Sequence, residues 1–297
     1  MTGEVETGLT QRHRQALHRA AIYLERPDFA ARLGEYAGQP VSRVLRMMPG
    51  AATAGVNKVV EAVVLRSLNL AIRSLQTTPK SRPASRTSTL LAGMSGGVSG
   101  FMGLAALPVE LPLTTTLMLR SIAEIARHHG EDLSRLDARL ACVEVLGLGT
   151  PGRRRGQEFG YYATRTLIGR LIGDASTHFV ERGVATASAP VVSSLVAELA
   201  PRFGLAVTER ASASLLPVLG AVGGATVNVL FMRHFQQVAH GHFTVRRLER
   251  QYGTALVRRE YQGLAARLRE IGAQGPTRRV RASSFVALPG SAQTTRR

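Results

Sequence analysis

Glu110 stands between two prolines in the string LPVELP, and a carboxylate held beside apolar segments is a candidate for a raised pKa and for proton transfer. Brought close to His234 by the fold, it would supply the acid and base of a hydrolase. The structural reading is stronger, because a carboxylate near a helix N-terminus is favoured by the partial positive charge there. His234, His240 and His242 place three imidazoles in one short stretch, and His128 with His129 adds two more elsewhere. Such a set raises the question of a metal. Against it, a single helix sends His234 and His240 to different faces, and no acidic ligand adjoins them. Ser95 and Ser99 have no histidine nearby in the sequence to serve as a base. Gly96, Gly97 and Gly100 are not followed by the Lys-Ser or Lys-Thr pair of a phosphate loop. No catalytic residue, metal ligand or cofactor is assigned, and Glu110 with His234 is the one speculative polar site.

The clearest pattern belongs to glycine. Leu90 to Val109 carries no charge, and within it Gly93, Gly96, Gly97, Gly100 and Gly103 recur at steps of three and four, along one side of a helix. An interior glycine forgoes about 1 kcal/mol against alanine, so five forgo about 4 to 5 kcal/mol. Close approach by a second backbone is the natural compensation. The uncharged segment Leu215 to Met232 offers a matching face in Gly220, Gly223 and Gly224, with Asn228 one turn further along to hydrogen-bond across the pair. These two segments are expected to dock. Either is near the length of a membrane span, but Pro108 shortens the first and Arg120 follows closely on Pro112, so a simple membrane hairpin fits poorly.

Those elements sit in a chain of 297 residues, 44% hydrophobic and only 5% aromatic, with no Trp. A core assembled from Ala, Leu, Val and Ile favours helices over a β-sandwich and excludes disorder throughout. The single Cys142 excludes an intramolecular disulfide and paired-thiolate zinc sites, pointing to a reducing compartment. The first ten residues lack the pattern of a secretory signal, so a cytoplasmic home is expected. Net charge is +18, nearly all from arginine. The C-terminal part concentrates it in Arg246, Arg247, Arg250, Arg258, Arg259, Arg267 and Arg269 and in the arginines beyond. Anionic membrane, a membrane protein complex or nucleic acid would be drawn to such a surface. Few aromatics accompany it, which disfavours a nucleic-acid stacking platform. The oligomeric state is not fixed by these features.

The expected architecture is all-α: a multi-helix bundle around the two glycine-rich apolar helices, ending in a disordered basic tail. Helices are read at Thr10–Leu33, Val41–Leu75, Pro112–His128, Leu136–Leu148, Phe159–Ile172 and Ala189–Leu199, followed by one long amphipathic helix through Val245 and Ile271. Gly130 suits a left-handed helix stop, and Ser134 with Asp137 resembles a capping box. Arg120 and Glu124, one turn apart, suit an ordinary pair. The domain reading is an N-terminal helical region 1–76, a linker or exposed loop 77–88 containing two prolines, a helical domain 89–271 and the tail 272–297.

The strings LLAGMSGGVSGFMGLAALPVELP, LRSIAEIARHHGEDL, LACVEVLGLG and LLPVLGAVGGATVNVLFMRHFQQVAHGHFTVRRLERQYG, in that order, resemble the EcsC protein family. The likeness runs from about Leu90 to Gly253, more weakly towards the N-terminus. It implies a bacterial source and a membrane-linked role, since the family is named after a gene neighbouring a bacterial ABC exporter. It implies no established biochemical activity and carries over no catalytic residue. The tail lies outside the resemblance.

Overall fold

The computed structural model describes residues 8–25, 55, 58–67, 107–149, 153–154, 157–158, 160–182, 190–214 and 220–273. They form an all-α bundle, whose one extended pairing is the two-residue antiparallel ladder of β1 (Arg153–Arg154) with β2 (Gln157–Glu158).

Helix α1, Gln11–Leu24, starts at Thr10, whose hydroxyl oxygen accepts from the His13 amide at 3.3 Å. It ends at Leu24 with Glu25 as its C-cap, and the rest of the span read to Leu33 lies outside the described residues. Residues 58–67 form α2, with Val60, Val63 and Val64 buried. Helix α3, Leu107–His128, begins before Pro112: Pro108 takes the first turn instead, and Pro112 loses one backbone bond near the helix end. It closes as expected. Gly130 adopts φ +80°, and the amides of Gly130 and Glu131 donate to the carbonyls of Arg127 and Ala126, each at 3.0 Å.

Helix α4, Leu136–Leu148, has the bounds read from sequence, but no capping box. Asp132 takes the Ser134 amide and hydroxyl at 2.9 and 2.7 Å, while Asp137 accepts from Arg135 at 3.0 Å. Every residue from Ala138 to Leu148 is buried, so α4 is a core helix on all sides. Helices α5, Tyr161–Arg182, and α6, Pro190–Ser214, both outrun their expected ends. In α6 the buried run Phe203, Ala206 and Val207 carries the helix past Pro201. The expected long C-terminal helix is two: α7, Gly220–Tyr252, and α8, Thr254–Ala273, separated by Gly253 at φ +82°.

The long helix α7 is the axis, packing against α1, α3, α4, α6 and α8. Buried α4 is the second pillar, touching α3, α5, α6 and α7. Phe203, Phe231 and Phe235 meet at 5.1–6.3 Å between α6 and α7 and anchor that seam. Several glycines permit close approach, Gly147 and Gly241 among them. A Cβ on Gly147 would lie 2.6 Å from Leu199 Cδ2 and 2.8 Å from Ile168 Cδ1, and one on Gly241 would lie 2.8 Å from Leu24 Cγ.

Gly93, Gly96, Gly97, Gly100 and Gly103 lie outside the described residues, as do the 77–88 loop and the chain after 273. Gly220, Gly223 and Gly224 occupy the first turns of α7, and Asn228 is fully buried on that helix. Among the described residues no helix is long and apolar enough to cross a membrane.

Candidate functional site

The residues with the most unusual surroundings lie where α4, α5 and α7 meet. Glu144 is the one acid in the buried stretch of α4, and its side chain has nowhere to go but the core. Its Oε2 lies 3.7 Å from Nε2 of His242 on α7, and His242 Nδ1 lies 3.0 Å from the Tyr161 hydroxyl at the start of α5. Both Glu144 and His242 are closed off from solvent, at 3% and 0% exposure. Glu144 Oε1 and His242 Nε2 have no hydrogen-bond partner among the described residues. Native cores contain few such atoms, and each asks for an explanation. Burial pushes the Glu144 carboxyl up to about 7, against the opposing pull of Arg165 and Arg246. Burial also drives His242 well below its ordinary value, helped by the same two arginines. Below about pH 7 a carboxylic acid thus faces a neutral imidazole.

Around this pair the charges are committed. Arg165 grips Glu249 with two bonds of 2.8 and 2.7 Å, and Tyr162 donates to the same carboxylate at 2.9 Å. The guanidinium of Arg165 lies over both tyrosine rings, 5.7 and 5.8 Å from their centroids. Arg246 forks onto Glu131 at 2.9 and 3.0 Å, and Arg250 joins the same carboxylate while donating to the His129 carbonyl at 2.8 Å. Burial alone would raise the Glu131 carboxyl, but these two arginines hold it below the usual range. Tyr261 of α8 donates at 3.0 Å to Glu25, the C-cap of α1, and Arg269 closes on Glu25 at 3.0 Å. Tyr161, Tyr162 and Tyr261 pack ring to ring at 5.1–5.3 Å.

The residues singled out from sequence fall into separate places. Glu110 is in the first turn of α3, and its carboxylate is paired with buried Arg210 of α6, not with His234. His234 donates from Nε2 to the Gly149 carbonyl that follows α4. The speculative hydrolase pair is therefore not assembled. His240 Nδ1 meets His129 Nε2 at 3.3 Å, and His242 faces Glu144, so the three histidines of α7 point to three different neighbours. Among the described residues no group of three or more His, Cys, Asp and Glu could hold a metal. Cys142 is buried and its thiol is pushed up to about 12, which removes it as a nucleophile. Arg120 and Glu124 pair at 3.6 Å as expected.

The C-terminal arginines divide into two groups. Arg246, Arg250 and Arg269 are bound to acids, and Arg258 lies 5.5 Å over the Tyr162 ring. Arg247 is half-buried near His129. Arg259 and Arg267 are exposed on α8, whose inner face buries Val257, Tyr261 and Ala265. Glu144, Tyr161, Arg165 and Glu249 were not recognised as site residues from sequence. A lone acid inside the apolar run LACVEVLGLG was the available signal for Glu144.

Among the described residues, an all-α bundle with a buried carboxyl–imidazole–phenol row and an outward basic helix defines a helical-bundle protein. The EcsC protein family model matches residues 29–248, most of the chain, and the protein belongs to that family. Neither a curated protein nor a solved structure matches it. The matched stretch contains Glu144, Tyr161 and His242, whereas α1 and α8 lie beyond its two ends.

Proposed function

We propose that this EcsC-family protein works by association, docking on an anionic membrane surface or a membrane complex through the outer face of α8 and the basic chain after it. The observation that supports this reading is the exposure of Arg259 and Arg267 on a helix that buries Val257, Tyr261 and Ala265 against the bundle. Net charge of +18 adds a long-range attraction to the same partners. Such binding is peripheral and electrostatic, and it belongs to the cytoplasmic leaflet, where anionic lipid is concentrated. The hydrolase reading loses its support because Glu110 is neutralised by Arg210.

Each basic residue close to an anionic bilayer contributes about 1 kcal/mol, and salt screens it. Flotation with vesicles rich in phosphatidylserine tests the reading. The protein is expected to rise with anionic vesicles at low salt, to be released at high salt, and to ignore phosphatidylcholine vesicles. Failure to bind at low salt, or equal binding to both lipids, would overturn it.

A further inference from the structure

We propose that Glu144, His242 and Tyr161 form a proton-operated latch inside the bundle: gain or loss of one proton at the Glu144–His242 pair reverses the Tyr161–His242 hydrogen bond and changes how firmly α4, α5 and α7 are held together. The geometry restricts the states available. With the extra proton, the Glu144 acid O–H faces His242 Nε2, so the ring carries its own hydrogen on Nδ1 and donates to the Tyr161 oxygen 3.0 Å away. Without it, Nε2 must bear the hydrogen and direct it at the carboxylate, and Nδ1 becomes an acceptor for the Tyr161 hydroxyl. Passing between them, the acid proton moves to Nε2, the Nδ1 proton leaves to solvent, and the phenol O–H turns inward. The separation of 3.7 Å between Oε2 and Nε2 sits just beyond hydrogen-bond reach, so a small side-chain adjustment completes the contact in either state.

The surroundings make the two states unequal. From α5 come Tyr161, Tyr162 and Arg165, from α7 Arg246 and Glu249, from α8 Tyr261, and behind them stand Glu131 and Glu25. Both arginines are already bound to other carboxylates, Arg165 to Glu249 and Arg246 to Glu131. An ionised Glu144 therefore enters a closed core where the pull of Arg165 and Arg246 is outweighed by the cost of burial, and the deprotonated bundle is the looser one. The two groups titrate as a unit, with the proton belonging to the pair.

Histidine-labelled protein observed by nitrogen NMR reads the latch directly. The His242 ring is expected to carry its hydrogen on Nδ1 at about pH 5.5 and on Nε2 at about pH 8.5, with no such change in Glu144→Gln. One tautomer at both pH values, or a change that persists in Glu144→Gln, would overturn the proposal. Infrared difference spectra of the unaltered protein give a second reading that does not depend on the variant folding. A protonated-carboxyl band that disappears across the same interval is expected, and its absence would overturn the latch.

Discussion

Burial raises the Glu144 carboxyl from 4.5 to about 7 and lowers the His242 imidazole well below 6.5, so the two side chains pull stability in opposite directions. The Glu144 contribution is complete below about 4.5 and is lost as pH rises through about 7. The His242 contribution is complete above 6.5 and is lost as pH falls below it. Between about 4.5 and 6.5 the two changes oppose each other, and above 6.5 only the loss at Glu144 remains. Glu144→Gln should therefore gain stability relative to the unaltered protein as pH rises towards neutral, by up to about tenfold in the folding equilibrium per pH unit. Denaturant melts across that range check this, and parallel pH profiles would contradict it. His129 falls from 6.5 to about 4, chiefly through burial and then through its neighbours His240, Arg247 and His128. Its contribution is lost as pH drops below 6.5, so His129→Gln should flatten the acid side of the same profile. Little of this was legible in sequence, because a pKa shift is made by neighbours from other helices. Glu110 stood out by its prolines, yet its partner Arg210 lies a hundred residues away. Glu144 looked like one polar residue in an apolar run.

Helix contacts explain which glycines matter to the described bundle. At Gly147 alanine would regain about 1 kcal/mol of helix propensity, but its Cβ would press on Leu199 and Ile168 at 2.6 and 2.8 Å. Leu199 and Ile168 are themselves fully buried and have little room to yield, and overpacking of that kind costs about 1 to 3 kcal/mol, so Gly147→Ala should lower the denaturation midpoint. Gly173→Ala on α5 is the control, since nothing lies within 4 Å of its added methyl, and it should raise stability slightly. An equal effect of the two substitutions would contradict this packing. Helix existence was readable from periodicity, and the stop at Gly130 from the glycine and histidines around it. The break at Gly253 was passed over because apolar residues keep their helical spacing on both sides of it, while the backbone turns through φ +82° between them. The all-round burial of α4 was hidden as well, since Arg139 and Glu144 set two charges within it.

On the scale of the whole molecule, charge is distributed so that inner arginines hold the bundle and outer ones face away. Arg165 and Glu249 are both largely shielded, and leaving one without the other strands a charge. Arg165→Leu is thus expected to cost about 3 to 5 kcal/mol. Arg259→Glu combined with Arg267→Glu should leave the melting temperature nearly unchanged, as surface substitutions do, while weakening binding to anionic vesicles by more than about tenfold. The overall helical class followed from composition, because a chain without Trp and poor in aromatics must pack aliphatic helices closely. The family likeness was legible from the order of four strings and is matched over residues 29–248. Fractionation of bacterial cells producing the tagged protein tests the association reading most directly. The account predicts that the protein sediments with membranes at low salt and is released by a carbonate wash. Protein found wholly in the soluble fraction at low salt, or retained in membranes after carbonate, would contradict it.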